Sequence, residues 1–283
     1  MEEDYSKYDV RPDILNYEDF RRMVPALDGH PKVVAWLMRL LWLDRCNRDH
    51  AAVCDTPGPE VARRLLEERW NVNVVVEGEE VLDHLPPGAF ITVSNHPFGA
   101  IDGIILINLI GHRRPAFKVM VNMILNHISS MRPNFIAVDQ SASSDPSKRA
   151  VSVAGIRSVI RQLKNGEPIG FFPAGAMSKT TLRHGLQDRE WQPSVLQIIY
   201  KAKVPVIPIF FHGRNSHLCN IMGHVCWPLR SLMIPREMIR KSGKTVRVSV
   251  GQPISVEEQE RFSSSEELGK YLRQKTYELR DKN

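Results

Sequence analysis

The chain is short of cysteine, aromatic residues and long apolar runs, and each shortage excludes something. Four cysteines in 283 residues, Cys46, Cys54, Cys219 and Cys226, are too few and too scattered for a disulfide framework. They point to free thiols in a reducing, cytosolic compartment. The opening Met1-Glu2-Glu3-Asp4 is acidic where a secretory signal needs an apolar stretch. No run approaches the roughly 20 apolar residues that cross a bilayer. Gly-x-Gly-x-x-Gly and Walker patterns are missing, so no cofactor is expected, and without a Gly-x-Ser-x-Gly elbow a serine hydrolase is disfavoured. His212, His217, Cys219, His224 and Cys226 lie close together but form no Cys-x2-Cys or His-x3-His pair, so they are expected to pack or sit in loops and hold no metal. Aromatics at 7% and dispersed basic residues leave nucleic-acid binding without support.

What is present is ordinary for a globular protein, at 42% hydrophobic and 25% charged. The net charge of +6 favours an anionic partner such as an acidic carrier protein or an anionic membrane surface. The length suits one large core or two modest domains.

The first 31 residues carry Pro12, Pro25 and Pro31 and read as an irregular lead-in with one short helix near 17–23. Residues 32–45 are apolar apart from Lys32, Arg39, Asp44 and Arg45, which predicts one helix that wants burial or a lipid interface. A second helix is expected over 60–70. Strands and helices then alternate, with strands at 72–76, 89–93, 116–121, 134–138, 168–172, 204–211 and 244–250. Helices are expected at 102–110, 123–129, 146–165, 193–201 and 266–280. The alternation predicts an α/β fold with a mixed, largely parallel sheet flanked by helices. We read residues 1–70 as an N-terminal helical, membrane-associating segment and 71–283 as the catalytic domain.

Three strand ends carry the chemistry. The first is Asn95-His96-Pro97-Phe98-Gly99-Ala100-Ile101-Asp102. Asp102 there is either a helix cap or the orienting partner of a general base, because a carboxylate can fix the tautomer of a histidine and support the imidazolium it becomes. The second is Phe172-Pro173-Ala174-Gly175-Ala176-Met177-Ser178, a loop of small residues whose backbone amides can approach an oxyanion, or an ordinary turn. The third is Val204-Pro205-Val206-Ile207-Pro208-Ile209-Phe210-Phe211, running into His212-Gly213-Arg214-Asn215-Ser216. Its prolines predict an edge or interrupted strand.

In this order, with Gly251-Gln252-Pro253-Ile254 following, the blocks resemble the glycerolipid and lysophospholipid acyltransferases, and most of all the bacterial hemolysin-like branch. The likeness covers residues 72–254. It implies His96 as general base and Asp102 as its orienter. It further implies Asn95, Pro173, Gly175, Ser178, Lys179, Arg214 and Asn215 as substrate-binding residues. The donor would be a thioester of acyl-carrier protein or coenzyme A and the acceptor a lipid, at the cytoplasmic face of a membrane with the enzyme held peripherally. Asp139 and Ala174 stand where relatives carry an arginine and a glutamate. The loss of the cation argues against a phosphate on the acceptor and for a lyso-aminolipid. Lys179, Arg183 and His184 can meet an acceptor carboxylate or form a solvated basic face. A hydrolase using water as acceptor and a non-catalytic lipid- or carrier-binding protein keep the same fold.

Overall fold

The computed structural model describes residues 8–139, 146–181, 185–225 and 227–281. The N-terminal part holds α1 (Tyr17–Met23), α2 (Pro31–Leu40), α3 (Leu43–Ala51) and α4 (Pro59–Arg64). The alternating part follows with β1 (Asn73–Glu77), α5 (Glu79–Asp83), β2 (Ile91–Ser94), α6 (Ala100–Gly111), β3 (Lys118–Asn122) and β4 (Phe135–Val138). It continues with α7 (Pro146–Lys164), β5 (Ile169–Phe171), β6 (Lys179–Thr181), β7 (Gly185–Gln187), α8 (Pro193–Ala202) and β8 (Val206–Phe211). Three short helices come next, α9 (His217–Val225), α10 (Trp227–Leu232) and α11 (Ile234–Ile239), before β9 (Thr245–Val250), α12 (Val256–Gln259) and α13 (Ser265–Glu278).

Seven strands form one sheet in the order β1-β9-β8-β2-β5-β3-β4, and β6 pairs with β7 in a separate hairpin. All neighbours in the large sheet are parallel except β8 and β9, so the sheet is mixed and largely parallel, as the alternation implied. Its central strands β2 and β8 are buried at every position. β8 is accordingly a near-continuous apolar run, whereas in β2 the buried Thr92 and Ser94 alternate with Ile91 and Val93.

Pro208 decides between the two readings of its strand. It lies in β8, which is flanked on both sides, so the strand is not an edge. The ladder to β9 is interrupted at that point instead. Pairing runs from Ile209 to Phe211, resumes only at a Val206–Ile254 bridge, and Gly251 N–H donates to the Pro208 carbonyl between them. Pro208 sits where no N–H is needed.

Residues 32–45 are not one helix. Trp42 takes a left-handed conformation with φ 63° and breaks the run into α2 and α3. Such a conformation is costly for a large side chain, and Trp42 packs against the main core. That core also takes in Cys46, Val61, Leu66 and Trp70 together with Ile105 and Phe211. Packing therefore runs across residue 70. A small separate cluster of Leu15, Phe20, Val34 and Leu43 ties α1 and α2 together. In α2 only Val34 is buried, whereas Trp36 is 59% and Leu40 56% exposed. Among the described residues no helix is long and apolar enough to cross a membrane.

Candidate active site

The three sequence blocks leave the sheet side by side. β8, β2 and β5 are neighbours and parallel, so their C-terminal ends place the loops after Ser94, Phe171 and Phe211 at one edge. Loops at the carboxyl ends of parallel strands are where open α/β sheets form their sites.

His96 follows β2 directly. Gly99, at φ 94° and with only 3.0 Å between a would-be Cβ and Met177 Sδ, lets the chain turn tightly into α6. Asp102 lies at the third position of that helix and is fully buried. Its Oδ2 accepts the N–H of Phe98 at 3.0 Å and of Gly99 at 3.1 Å, the back half of a capping box. The same oxygen lies 2.9 Å from His96 Nδ1. The approach is off the axis of an in-line hydrogen bond, and Asp102 Oδ1 has no hydrogen-bond partner. Asp102 thus starts the helix and also contacts the histidine. Burial pushes its carboxyl up from the usual range, opposed by His96 and by the two amides.

The face of the His96 ring stacks on Phe172, with centroids 4.1 Å apart. Its ring borders a cavity of about 260 Å³ whose walls include Met120, Leu125, Phe172, Met177 and Ile234. The lining is mainly apolar. Gly175 shares this cavity with His96, but its N–H donates to the Phe172 carbonyl at 2.9 Å, so it closes a turn at φ 63°. Among the described residues the N–H groups of Ala176 and Met177 meet no acceptor, and both residues line the cavity.

The remaining expected binding residues do not line the cavity. Asn95 faces Phe211, donating to its carbonyl at 2.9 Å and accepting its N–H at 2.7 Å. It extends the β2–β8 pairing past the last strand residue. Asn215 donates to the Phe98 carbonyl at 3.0 Å and is buried, so it props the loop that caps Asp102. Ser178 is buried and donates to Asp188 at 2.6 Å. Pro173 is buried, Lys179 is half-buried at the start of β6, and Arg214 is exposed with its carbonyl accepting from Lys241 Nζ at 2.9 Å. Asp139, at the end of the edge strand β4, and Ala174 are also absent from the lining. Arg183, His184 and Cys226, like the side chain of His224, lie outside the described residues. His212 Nε2 meets Ser249 Oγ at 2.7 Å, and Cys219 is buried.

Among the buried charges without a sequence signal, three brace the loops around His96. Asp188 accepts the N–H of His96 at 3.2 Å as well as the Ser178 hydroxyl, and burial pushes its carboxyl up. Arg230 is fully buried and donates to the carbonyls of Met177 and Ser178. Lys241 Nζ lies 4.0 Å over the Phe98 ring. Burial lowers its pKa, opposed by Glu237 and Asp102. None has a sequence signal, since each sits in an ordinary mixed-charge stretch.

Fold and site together define an α/β enzyme with a histidine–carboxylate pair at an apolar cavity. The chain belongs to an acyltransferase family, whose model matches residues 21–283. It is 25% identical over 256 residues to a lyso-glycine lipid O-acyltransferase of Bacteroides thetaiotaomicron, covering 87% of this chain and 89% of that one. A protein of the same description from Phocaeicola vulgatus is 26% identical over 208 residues, covering 70% and 71%. In fold the chain is similar to the crystal structure of the 1-acyl-sn-glycerophosphate acyltransferase PlsC from Thermotoga maritima. There the TM-score is 0.52 at 20% identity, over 88% of each chain.

Proposed function

We propose that this enzyme moves a fatty acyl group from a thioester of acyl-carrier protein or coenzyme A to the hydroxyl of a lyso-lipid, with a lyso-aminolipid as the preferred acceptor. The observation that carries the reading is His96, backed by the fully buried Asp102 at 2.9 Å, at the wall of an apolar cavity. The names of the two curated relatives support the acceptor class.

The acceptor oxygen attacks the thioester carbonyl as its proton passes to a ring nitrogen of His96. Asp102 holds the ring and offsets the charge of the imidazolium. The oxyanion of the tetrahedral intermediate takes hydrogen bonds from the free N–H groups of Ala176 and Met177. Collapse breaks the C–S bond, and the thiolate leaves with the proton that His96 returns. The acceptor is itself the nucleophile, so no acyl-enzyme forms. The apolar walls hold the chain being transferred. Lys179 meets the acceptor's headgroup. The enzyme works peripherally at the cytoplasmic membrane face, held by α2, whose exposed Trp36 and Leu40 share the helix with Lys32 and Arg39.

The test supplies labelled acyl-carrier protein and labelled acyl-CoA in turn, with lyso-glycine lipid or lysophosphatidate. Label in the lyso-glycine lipid supports the reading. Label released only as free fatty acid makes the protein a hydrolase, and no turnover of either donor makes it a binder. Comparable specificity constants for the two acceptors overturn the aminolipid preference.

A further inference from the structure

Outside α1 and α2, large exposed hydrophobic residues occur singly on β1 and α7, at Val75, Val153 and Ile160, and in a group around the cavity and α9. Ile124 and Leu232 are both exposed and part of the cavity lining, so the mouth has an apolar rim. One helix beyond Leu232, α9 exposes Leu218 at 49% and Ile221 at 58%. These two residues are three apart and so share a face. They are not part of the cavity lining. A soluble surface normally keeps such side chains scattered, and a cluster beside a ligand mouth marks an interaction site.

The occupant can be read from charge and continuity. Residues 214–240 carry four arginines, Arg214, Arg230, Arg236 and Arg240, against one carboxylate, Glu237. That carboxylate is buried and accepts from both the N–H and the hydroxyl of Ser216, while Arg214 and Arg240 are exposed. An apolar face within a basic segment fits an anionic lipid surface. α9 packs on α10, α10 on α11, α11 on α3, and α3 on α2. α9 and α2 therefore belong to one packed run of helices.

We propose that α9 and the rim residues Ile124 and Leu232 form a second membrane-contacting element, which seats the cavity mouth on an anionic bilayer. The inference rests on the lipid acyltransferase reading and adds the surface through which an apolar substrate enters without crossing water. Leu218 and Ile221 insert at the acyl boundary, and the exposed arginines meet headgroup phosphates.

The experiment floats the full-length protein with vesicles of phosphatidylglycerol and phosphatidylcholine. Two variants accompany the wild type, Leu218→Ser with Ile221→Ser and Leu218→Lys with Ile221→Lys. Insertion predicts that the serine variant binds more than about tenfold more weakly, and that the lysine variant also binds more weakly than wild type, because the loss of two inserted aliphatic side chains outweighs the two added charges. It further predicts unchanged thermal unfolding and unchanged turnover of a water-soluble, short-chain acceptor without vesicles. Purely electrostatic binding predicts the opposite for the lysine variant, which would bind more tightly than wild type. That result, wild-type flotation of the serine variant, or a wild type that does not float overturns the proposal. Flotation needs no substrate, so it stands or falls apart from the transfer assay.

Discussion

Ser178 donates its hydroxyl to Asp188 at 2.6 Å, and the same carboxylate oxygen accepts the backbone N–H of His96 at 3.2 Å. The loop after β5 and the histidine after β2 are thus tied through one buried carboxylate. Ser178→Ala removes one of these ties. It is expected to cost about 1 kcal/mol, read as a melting temperature lower by about 2–4 °C, with KM for the acceptor little changed. A raised KM at unchanged melting temperature would restore Ser178 to the substrate.

His96→Ala removes the base. Turnover is expected to fall by about 10²–10⁴, while the thermal unfolding curve stays close to wild type, because the ring borders a cavity. Asp102→Asn keeps an oxygen for the amides of Phe98 and Gly99 but loses the charge beside Nδ1, so turnover should fall over a similar range. A folded His96→Ala protein with wild-type turnover refutes the mechanism.

The two tryptophans of the broken helix are expected to behave differently. Trp36 is exposed and Trp42 packs on the core. Trp36→Ser should shift protein from the vesicle-bound to the free fraction without changing the melting temperature. Trp42→Ser should lower stability by roughly 2–3 kcal/mol, below the range for emptying a fully buried site because Trp42 is half-buried, and leave vesicle affinity of the folded fraction intact. Flotation and thermal melts of both single variants decide it.

His50 sets a pH dependence. Its Nδ1 lies 2.7 Å from the Pro12 carbonyl and must donate, which leaves Nε2 to accept from Ser130 Oγ at 2.7 Å. Burial pulls its pKa below 6.5. On acidification the unfolded chain takes up a proton first, so stability is present above 6.5 and is lost as pH falls from there toward the folded-state value. Gln at this position can donate and accept but does not titrate. The difference in melting temperature between wild type and His50→Gln should therefore move against the wild type between pH 7 and 5. A constant difference rules the linkage out.

The strands are readable because the central ones are buried on both faces and rich in apolar residues, β8 as an unbroken apolar run. For the same reason the His96, Pro173 and Gly213 loops could be placed at strand ends. The region of α9 to α11 is not readable, since Pro228 and Pro235 interrupt any period and α11 is held by contacts with distant α3 and α6. The roles within the motifs were harder still. Asn95, Ser178 and Asn215 were assigned to substrate on their motif positions, whereas each bonds to a neighbouring loop or strand. A linear motif does not distinguish a side chain that faces a ligand from one that braces the loop behind it. Asp188 lies far from His96 in the chain, and nothing short of the fold brings the two together.

The paired amide of Asn95 also has a dynamic consequence. Its donor and acceptor both engage Phe211, which fastens the ends of β2 and β8 at the point where the sheet would otherwise splay. These bonds hold the floor beneath His96. An opening that admits a long-chain substrate is therefore expected in the helices around the mouth, with amide exchange slower at residues 91–95 and 206–211 than at 217–225 and 227–234.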